Sequence, residues 1–280
     1  MISRCIYIII IFNIIISQAQ YQIIQLPNNT LELVSNNSIS IIENFNTNKL
    51  SSSFSTTLIN YPANINLFNV KINQFSLSIL NYGILEDKFN NESLKTFTAN
   101  EYYLQYLINK KLNNNISLYY SIGTIYSQIY NYNSIALTSS LKINKYFKKN
   151  NLSISFAINN VGVVLKKYSV ANVNLPIEYQ FAFGYYLKNI KMGYDVIYNY
   201  KDYNILHILS LKLNIIKNIN IILSNTNSSK KLSNENHLNY LSGFSGGINF
   251  TINNTNINMG FLNLGPAGLA TSMTINYKLF

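Results

Sequence analysis

Few side chains in this sequence are of the kinds that perform catalysis. The two histidines, His207 and His237, lie far apart, the first in a strand-like stretch and the second in a polar loop. Glu86, Asp87 and Glu92 lie close together, but without the spacing of an EF-hand or of paired catalytic carboxylates. These residues do not supply a nucleophile, a base and an oxyanion-stabilising group. The sequence therefore predicts a protein that is not an enzyme and has no cofactor and no metal.

Other charged side chains have positions that would suit the wall of an aqueous channel. Asp195 lies in a tyrosine-rich stretch of alternating character, and Lys166 and Lys167 lie near Glu178 in the sequence. Because alternate residues of a strand point to opposite faces, such side chains can line a lumen while their neighbours face lipid. Ordinary lumen polarity explains them without a binding role.

The first 19 residues have the pattern of a secretory signal peptide. Arg4 supplies a positive start, residues 6–16 are apolar apart from Asn13, and Ser17 and Ala19 are the small residues of a cleavage site. The apolar run is too short to cross a bilayer of ~30 Å as a helix, although a retained anchor is the alternative. We expect residues 1–19 to be removed and residues 20–280 to form one exported domain. The only cysteine, Cys5, lies within the signal.

The composition fits a wall that faces lipid on one side and uncharged polar groups on the other. Hydrophobic residues make up 48% of the chain and charged residues 11%, against a usual charged share of about 25%. The net charge of +11 invites a nucleic-acid interpretation. The lysines are scattered singly or in pairs, however, and form no basic stripe along the sequence, so we expect no nucleic-acid partner.

The C-terminal stretch has the alternation of closing strands in a membrane barrel. Residues 243–252 and 256–262 form two strand patterns, followed by a turn at Gly265, Pro266, Ala267 and Gly268. In the last strand one face carries apolar residues and the other polar ones; the apolar set is Met273, Ile275, Tyr277 and Leu279, and the polar set is Ser272, Thr274, Asn276 and Lys278. The terminal aromatic residue, Phe280, falls on the polar face, so it is an imperfect form of the C-terminal aromatic expected of such a strand.

Similar strand patterns recur along the whole mature chain. Their number indicates an all-β protein, a transmembrane antiparallel β-barrel of the outer-membrane type with about 12–14 strands. The predicted strands are residues 50–59, 65–71, 73–82, 96–109, 116–126, 134–144, 151–160, 177–187, 191–200, 203–214 and 218–226, with a weak strand at 39–42. The longer connections are predicted to be loops at residues 83–95, 166–175 and 227–241.

Several short stretches, in this order, make the chain similar to the PorQ family, which comprises outer-membrane proteins of the type IX secretion system. The matching stretches are residues 21–27, 81–83, 126–134, 160–168, 175–180, 243–247 and 267–268. The sequence departs from the family at Phe261 and at Leu264 and Gly265, where the family has an arginine and a Tyr-His pair, and in the shortened segment 28–50.

The resemblance implies a barrel of the FadL-like group that anchors surface components of the complex that attaches secreted cargo. Its expected partners are outer-membrane lipid and PorZ-like, PorU-like and PorV-like proteins. The three predicted loops would be the docking surface, with charged side chains as contacts: Glu86, Asp87, Glu92, Lys166, Lys167, Lys230 and Lys231.

Two alternatives to an anchor fit the same residues. A barrel of 12–14 strands has a lumen wide enough to need a plug or to conduct, so the protein could transport small or hydrophobic solutes across the outer membrane. An exported soluble β-protein is the other alternative, because an edge strand of a sandwich also alternates polar and apolar residues.

Overall fold

A computed structural model of the chain describes residues 21–41, 53–89, 92–168, 174–200, 204–216, 218–227 and 241–278. The predicted signal peptide, Lys230, Lys231 and Phe280 lie outside these described residues. Within them, no helix is both long enough and apolar enough to span a membrane.

Fourteen antiparallel strands close into one barrel, which confirms the predicted fold class and the upper of the two strand counts. Every strand pairs with its neighbours in sequence, and β1 closes the ring by pairing with β14. The strands are β1 Ser53–Asn60, β2 Asn66–Ile72, β3 Phe75–Phe89, β4 Glu92–Asn113, β5 Ile116–Ile129, β6 Tyr132–Phe147, β7 Leu152–Lys166, β8 Glu178–Tyr186, β9 Ile190–Asn199, β10 Asn204–Ile216, β11 Ile219–Thr226, β12 Phe244–Ile252, β13 Thr255–Asn263 and β14 Leu269–Lys278.

The outer face of the wall is apolar and the inner face mostly polar, as the alternation predicted. In β14 the side chains of Met273, Ile275 and Tyr277 are exposed on the outside, whereas Ser272 and Thr274 are buried on the inside. The same division holds in β7 and β8. Because lipid is an apolar solvent, an exposed apolar belt of this kind suits a bilayer and would be unfavourable in water.

The two ends of the barrel differ in their connections. At one end, which we call the short-turn rim, the connections are residues 73–74, 114–115, 148–151, 187–189, 217–218 and 253–254. β1 also begins at this rim and β14 ends there. At the other end, the long-loop rim, the longest connections are residues 167–177 and 227–243. The predicted turn at Gly265, Pro266, Ala267 and Gly268 is a 3-10 helix, Gly265–Ala267, at the long-loop rim.

The predicted loop at residues 83–95 is wrong, because β3 continues to Phe89 and β4 already begins at Glu92. The two strands pair through this stretch, with Ile84 opposite Thr98 and Glu86 opposite Thr96. The acidic residues interrupt the apolar alternation that strand prediction relies on, but a strand that extends past the lipid needs no apolar face. Glu86, Asp87 and Glu92 therefore belong to a β-hairpin and not to an irregular loop.

The predicted weak strand at residues 39–42 is also wrong. Residues 39–41 form no strand, and they belong to a separate N-terminal segment, residues 21–41, that lies inside the barrel. This segment contains a short 3-10 helix, Gln22–Ile24, and one α-helix, α1, Thr30–Val34. We call residues 21–41 the plug.

The two faces of β4 offer a test of which side meets lipid. Leu104 is 54% exposed on the outer face, whereas the next residue, Gln105, is half-buried and lines the lumen. We expect Leu104→Lys to destabilise the barrel by about 2–4 kcal/mol, the usual cost of a lysine facing the middle of a bilayer. Gln105→Lys should cost far less. The measurement is reversible urea unfolding in lipid vesicles, and equal losses for the two variants would contradict the assigned faces.

Candidate functional site

The plug is the feature of this barrel that bears most directly on function, because it occupies the lumen. Its side chains or backbone bond to inner-face residues of β3, β4, β6, β7, β8, β9, β11, β12 and β14. A segment without a sheet or long helix of its own must find partners elsewhere for its backbone groups. The inner wall supplies them.

Glu101 on β4 holds the N-terminal end of the plug. Its carboxylate is almost fully buried and accepts the backbone N–H groups of Tyr21 at 3.1 Å and Ile23 at 2.8 Å. The Ser127 hydroxyl donates to the same carboxylate at 3.3 Å. The Tyr21 hydroxyl contacts the Ser134 hydroxyl, and burial raises the pKa of the Tyr21 phenol above its ordinary value, which keeps the phenol neutral. The bonds that the Glu101 carboxylate accepts are charge-assisted, and such bonds are stronger than those between neutral groups.

Asp195 on β9 holds the other end of the plug. One carboxylate oxygen accepts the Ile39 backbone N–H at 2.8 Å, and the other accepts the hydroxyls of Ser38 at 2.6 Å and Ser40 at 2.5 Å. The Gln180 side-chain amide donates to Asp195 at 3.0 Å and also to the carbonyl of Asn37 at 3.0 Å. Asp195 therefore faces the lumen, as its sequence position suggested, but it binds the chain's own backbone.

Local capping bonds shape the middle of the plug, and further hydrogen bonds attach it to strands β11, β12 and β14 of the wall. Asn29 caps α1 by accepting the Glu32 N–H at 3.0 Å, and Glu32 accepts the Asn28 N–H at 2.8 Å. At the start of the helix the Thr30 hydroxyl lies 2.9 Å from the Thr274 hydroxyl of β14. At its end the carbonyl of Val34 accepts hydroxyls from β11 and β12.

Glycines on the inner wall make room for the plug. A Cβ at Gly193 would overlap the Ser40 hydroxyl and lie 2.8 Å from a methyl carbon of Ile41, and a Cβ at Gly260 would overlap Val34. Gly184 and Gly247 face the same two parts of the plug, with a Cβ falling 2.8 Å from the Ser40 carbonyl and 2.6 Å from Val34 respectively. The wall is therefore shaped around a plug in this one position.

An apolar cluster seals the lumen on the long-loop side of the plug. Tyr21, Ile23 and Leu33 of the plug are fully buried against inward-facing residues of the wall, chiefly Ile59, Leu67, Leu80, Ile125 and Ala270. Leu175, from the connection between β7 and β8, joins the cluster. Dense apolar packing excludes water, so this half of the lumen is closed in the structure.

A cavity of about 760 Å³ remains between the plug and the wall. Plug residues Leu26, Glu32 and Ile39 form one side of it. The wall contributes polar and aromatic side chains, among them Lys71, Gln105, Tyr119, Lys142 and Gln180. Its volume falls in the range of small-molecule pockets, about 300–1,000 Å³, and it combines apolar surface with a few convergent polar groups as such pockets do.

The predicted docking contacts that the structure describes belong to strands and connections of the long-loop rim. Glu86, Asp87 and Glu92 belong to the β3–β4 hairpin, and Lys166 ends β7 at the same long-loop rim, followed by Lys167. Tyr277 is exposed on the outer face of β14 near the short-turn rim. Within the described residues, no three histidine, cysteine or acidic side chains come together as a metal site would require.

Sequence reasoning missed the plug and the residues that hold it. Asn28 to Ile41 contains a capping pattern, Asn29 with Glu32, that indicates a short helix, but nothing in it says that the helix lies inside a barrel. The inward glycines were the available signal, because a glycine in a strand often marks the close approach of another backbone.

A closed antiparallel barrel with an apolar outer belt and a folded segment in its lumen defines the class: a plugged transmembrane β-barrel of the outer-membrane type. Comparison with known protein families and with curated proteins finds no match. The likeness to particular proteins is therefore one of structure.

Several solved outer-membrane barrels are similar to this structure at very low sequence identity. The toluene transporter TodX of Pseudomonas putida is 7% identical, over 88% of this chain and 91% of its own, with a TM-score of 0.51. KdgM porin is 12% identical, over 81% and 99%, with a TM-score of 0.35. The outer membrane protein Omp33 of Acinetobacter baumannii is 9% identical, over 82% and 98%, with a TM-score of 0.44. At these identities the likeness concerns the fold alone.

The glycine positions give a test of the plug's seat. We expect Gly193→Ala to displace residues 38–41, because the new methyl group would occupy the space of the Ser40 hydroxyl. The readout is maleimide labelling of a cysteine placed at Thr30, which is fully buried in the seated plug. Labelling should be at least tenfold faster in Gly193→Ala. The matched control, Gly246→Ala, places its methyl against Phe261 outside the lumen and should leave the rate unchanged.

Proposed function

We propose that the protein is a transport barrel of the outer membrane that passes small solutes when the plug moves. Single-chain outer-membrane barrels turn their short connections to the periplasm and their long loops outward, so in this proposal the short-turn rim faces the periplasm. The signal-peptide pattern of residues 1–19 supports export. TodX, a toluene transporter, is similar in fold, and the diameter of a barrel grows with its strand number, so fourteen strands leave room for a solute path once the plug moves.

The observation that carries the proposal is the cavity of about 760 Å³ beside the plug. A barrel that served only as a membrane anchor would gain stability by filling its lumen completely, since empty space forfeits packing energy. Here one half of the lumen is packed with apolar side chains, and the other half holds an open space lined by polar groups. The plug is attached by hydrogen bonds at both ends, and hydrogen bonds can break and re-form without loss of the fold.

The natural absence of cysteine from the predicted mature chain permits a direct test of plug movement. Thr30 and Thr274 can be replaced by cysteines whose sulfurs lie where hydroxyls now approach to 2.9 Å. We expect the oxidised Thr30→Cys/Thr274→Cys protein to take up no solute into vesicles, because the disulfide ties the plug to β14. Reduction should restore uptake.

The control is the pair Thr57→Cys/Thr274→Cys. These two hydroxyls lie 2.8 Å apart on the neighbouring strands β1 and β14, so their disulfide crosslinks the wall and leaves the plug free. Oxidation of the control should leave uptake unchanged. Uptake that persists through the oxidised Thr30–Thr274 pair would refute transport past a moving plug.

A second candidate function is the one that the PorQ resemblance implies: an anchor for PorZ-like, PorU-like and PorV-like surface proteins. The observation in its favour is the uneven height of the barrel. Strands β3 to β7 have 14 to 22 residues, whereas the strands from β8 round to β2 have 7 to 13. Since a transmembrane strand needs only about 9–11 residues, the β3–β4 hairpin extends beyond the lipid at the long-loop rim.

The anchor hypothesis predicts a stable complex with a large surface protein. Removal of residues 227–241 from the long-loop rim should abolish co-purification of that protein while the barrel still assembles. A barrel that is solely an anchor would also show no solute uptake in either redox state of the Thr30–Thr274 pair. Normal co-purification after the deletion would exclude this loop as the docking surface.

A further inference from the structure

Lysines that are scattered along the sequence lie around one end of the barrel, the short-turn rim. Consecutive strands run in opposite directions, so every second connection lies at the same end of the barrel. Residues next to these connections therefore lie at that end too. Six of these lysines have inward-facing positions near that rim; they are Lys71, Lys111, Lys142, Lys191, Lys212 and Lys278. We call this set the lysine mouth.

Their inward direction follows from the alternation of each strand and from two ring contacts. The Lys142 ammonium lies 5.1 Å from the centroid of the Tyr119 ring, and the Lys191 ammonium lies 5.4 Å from that of Tyr186. Both tyrosines face the lumen, and Tyr186 also donates to the Ser40 carbonyl of the plug at 2.9 Å. The charges of Lys142 and Lys191 are therefore held at the lumen surface.

Acidic side chains do not balance this charge on the wall. Among the described residues, no aspartate or glutamate lies in the turns of the short-turn rim or in the five strand residues next to each turn. The nearest wall acid is Asp195, a single carboxylate against the six lysines of the mouth. The field at this end of the lumen is thus positive, and a narrow opening with low-dielectric walls concentrates such a field.

The plug itself places one carboxylate beside this field. Glu32 lines the cavity together with Lys71 and Lys142. Glu32 belongs to the plug, where Asn28 and Asn29 hold its two oxygens. When the plug moves, Glu32 moves with it, and the lysines remain on the wall. An incoming carboxylate can take the position that Glu32 vacates.

We propose that the cavity and the lysine mouth form a binding site for small organic anions that carry a carboxylate. The lysine ammonium groups would bind the carboxylate, polar side chains such as Gln105 and Gln180 would bind hydroxyl groups, and Leu26 and Ile39 would pack against the carbon skeleton. The inference deepens the proposed transport function by naming the class of solute. Binding itself can be measured without transport, so the two proposals can fail separately.

The test uses three sugars of nearly equal size that differ in charge: glucuronate, glucose and glucosamine. Equilibrium dialysis against the detergent-solubilised full-length protein should show saturable binding of glucuronate at least tenfold tighter than of the other two. The triple variant Lys71→Gln/Lys142→Gln/Lys191→Gln should lose at least tenfold in glucuronate affinity. Higher salt should weaken binding, because the attraction is electrostatic.

The matched control removes the same number of charges from the same rim outside the lumen. Lys110→Gln/Lys145→Gln/Lys148→Gln alters two outward-facing lysines and one turn lysine and should leave the affinity unchanged. Equal binding of the three sugars, or equal losses in the two triple variants, would overturn the assignment. Glucuronate binding that depends on the inner lysines but occurs without uptake into vesicles would support the site and refute transport.

Discussion

The structure depends on one constraint, which is that a chain segment inside a barrel must have its polar groups paired. Residues 21–41 contain only two short helices, so most of their backbone groups cannot pair within the segment. Glu101 and Asp195 meet this need at the two ends. The buried Glu101 carboxylate accepts two backbone N–H groups, and the buried Asp195 carboxylate accepts one backbone N–H and two serine hydroxyls. A buried charge without such partners would be strongly unfavourable. Carboxylates and plug therefore stabilise each other, and loss of the plug would leave each carboxylate with fewer hydrogen-bond donors.

The plug and the wall also match in shape, in addition to the bonds that the two carboxylates make. The wall lacks side chains where the plug lies closest, at Gly193 and Gly260, and supplies hydroxyls where carbonyls of the plug point outward, as at Val34. A segment that filled the lumen by non-specific collapse would not meet both glycines where space is needed and hydroxyl donors where its carbonyl groups point. The plug is thus a built component of the barrel, and the remaining cavity has definite walls.

The two halves of the lumen differ in chemistry, and this difference gives the barrel a direction. Apolar packing closes the half toward the long-loop rim, whereas polar side chains and lysines surround the space toward the short-turn rim. Movement of the plug would have to break the apolar cluster around Tyr21 and Ile23 as well as the two carboxylate attachments. Such a barrier suits a gate that opens only when a ligand favours the displaced state, since a ligand shifts an equilibrium only by its differential affinity.

The sequence by itself determined the wall of this protein. Strict alternation in stretches such as 152–159 and 269–278 fixed which residues face lipid, because the side-chain period of a strand allows only two faces. It also limited the strand count to 12–14, since nearly every strand carried its own pattern, and the structure decided for fourteen. The alternation failed at residues 83–95, where the hairpin leaves the lipid and no longer needs an apolar face.

Only the tertiary structure decided what the lumen contains. The attachments of the plug join residues far apart in the chain, as in Tyr21 with Glu101 and Ile39 with Asp195. No local pattern encodes such pairs, because a buried carboxylate and a solvated one look the same in a sequence. The six lysines of the lysine mouth are likewise far apart in the sequence. They share one rim only because the strands of the closed barrel place them at the same end. The local alternation of side chains is enough to predict the wall, whereas the site forms only when the barrel closes around the plug.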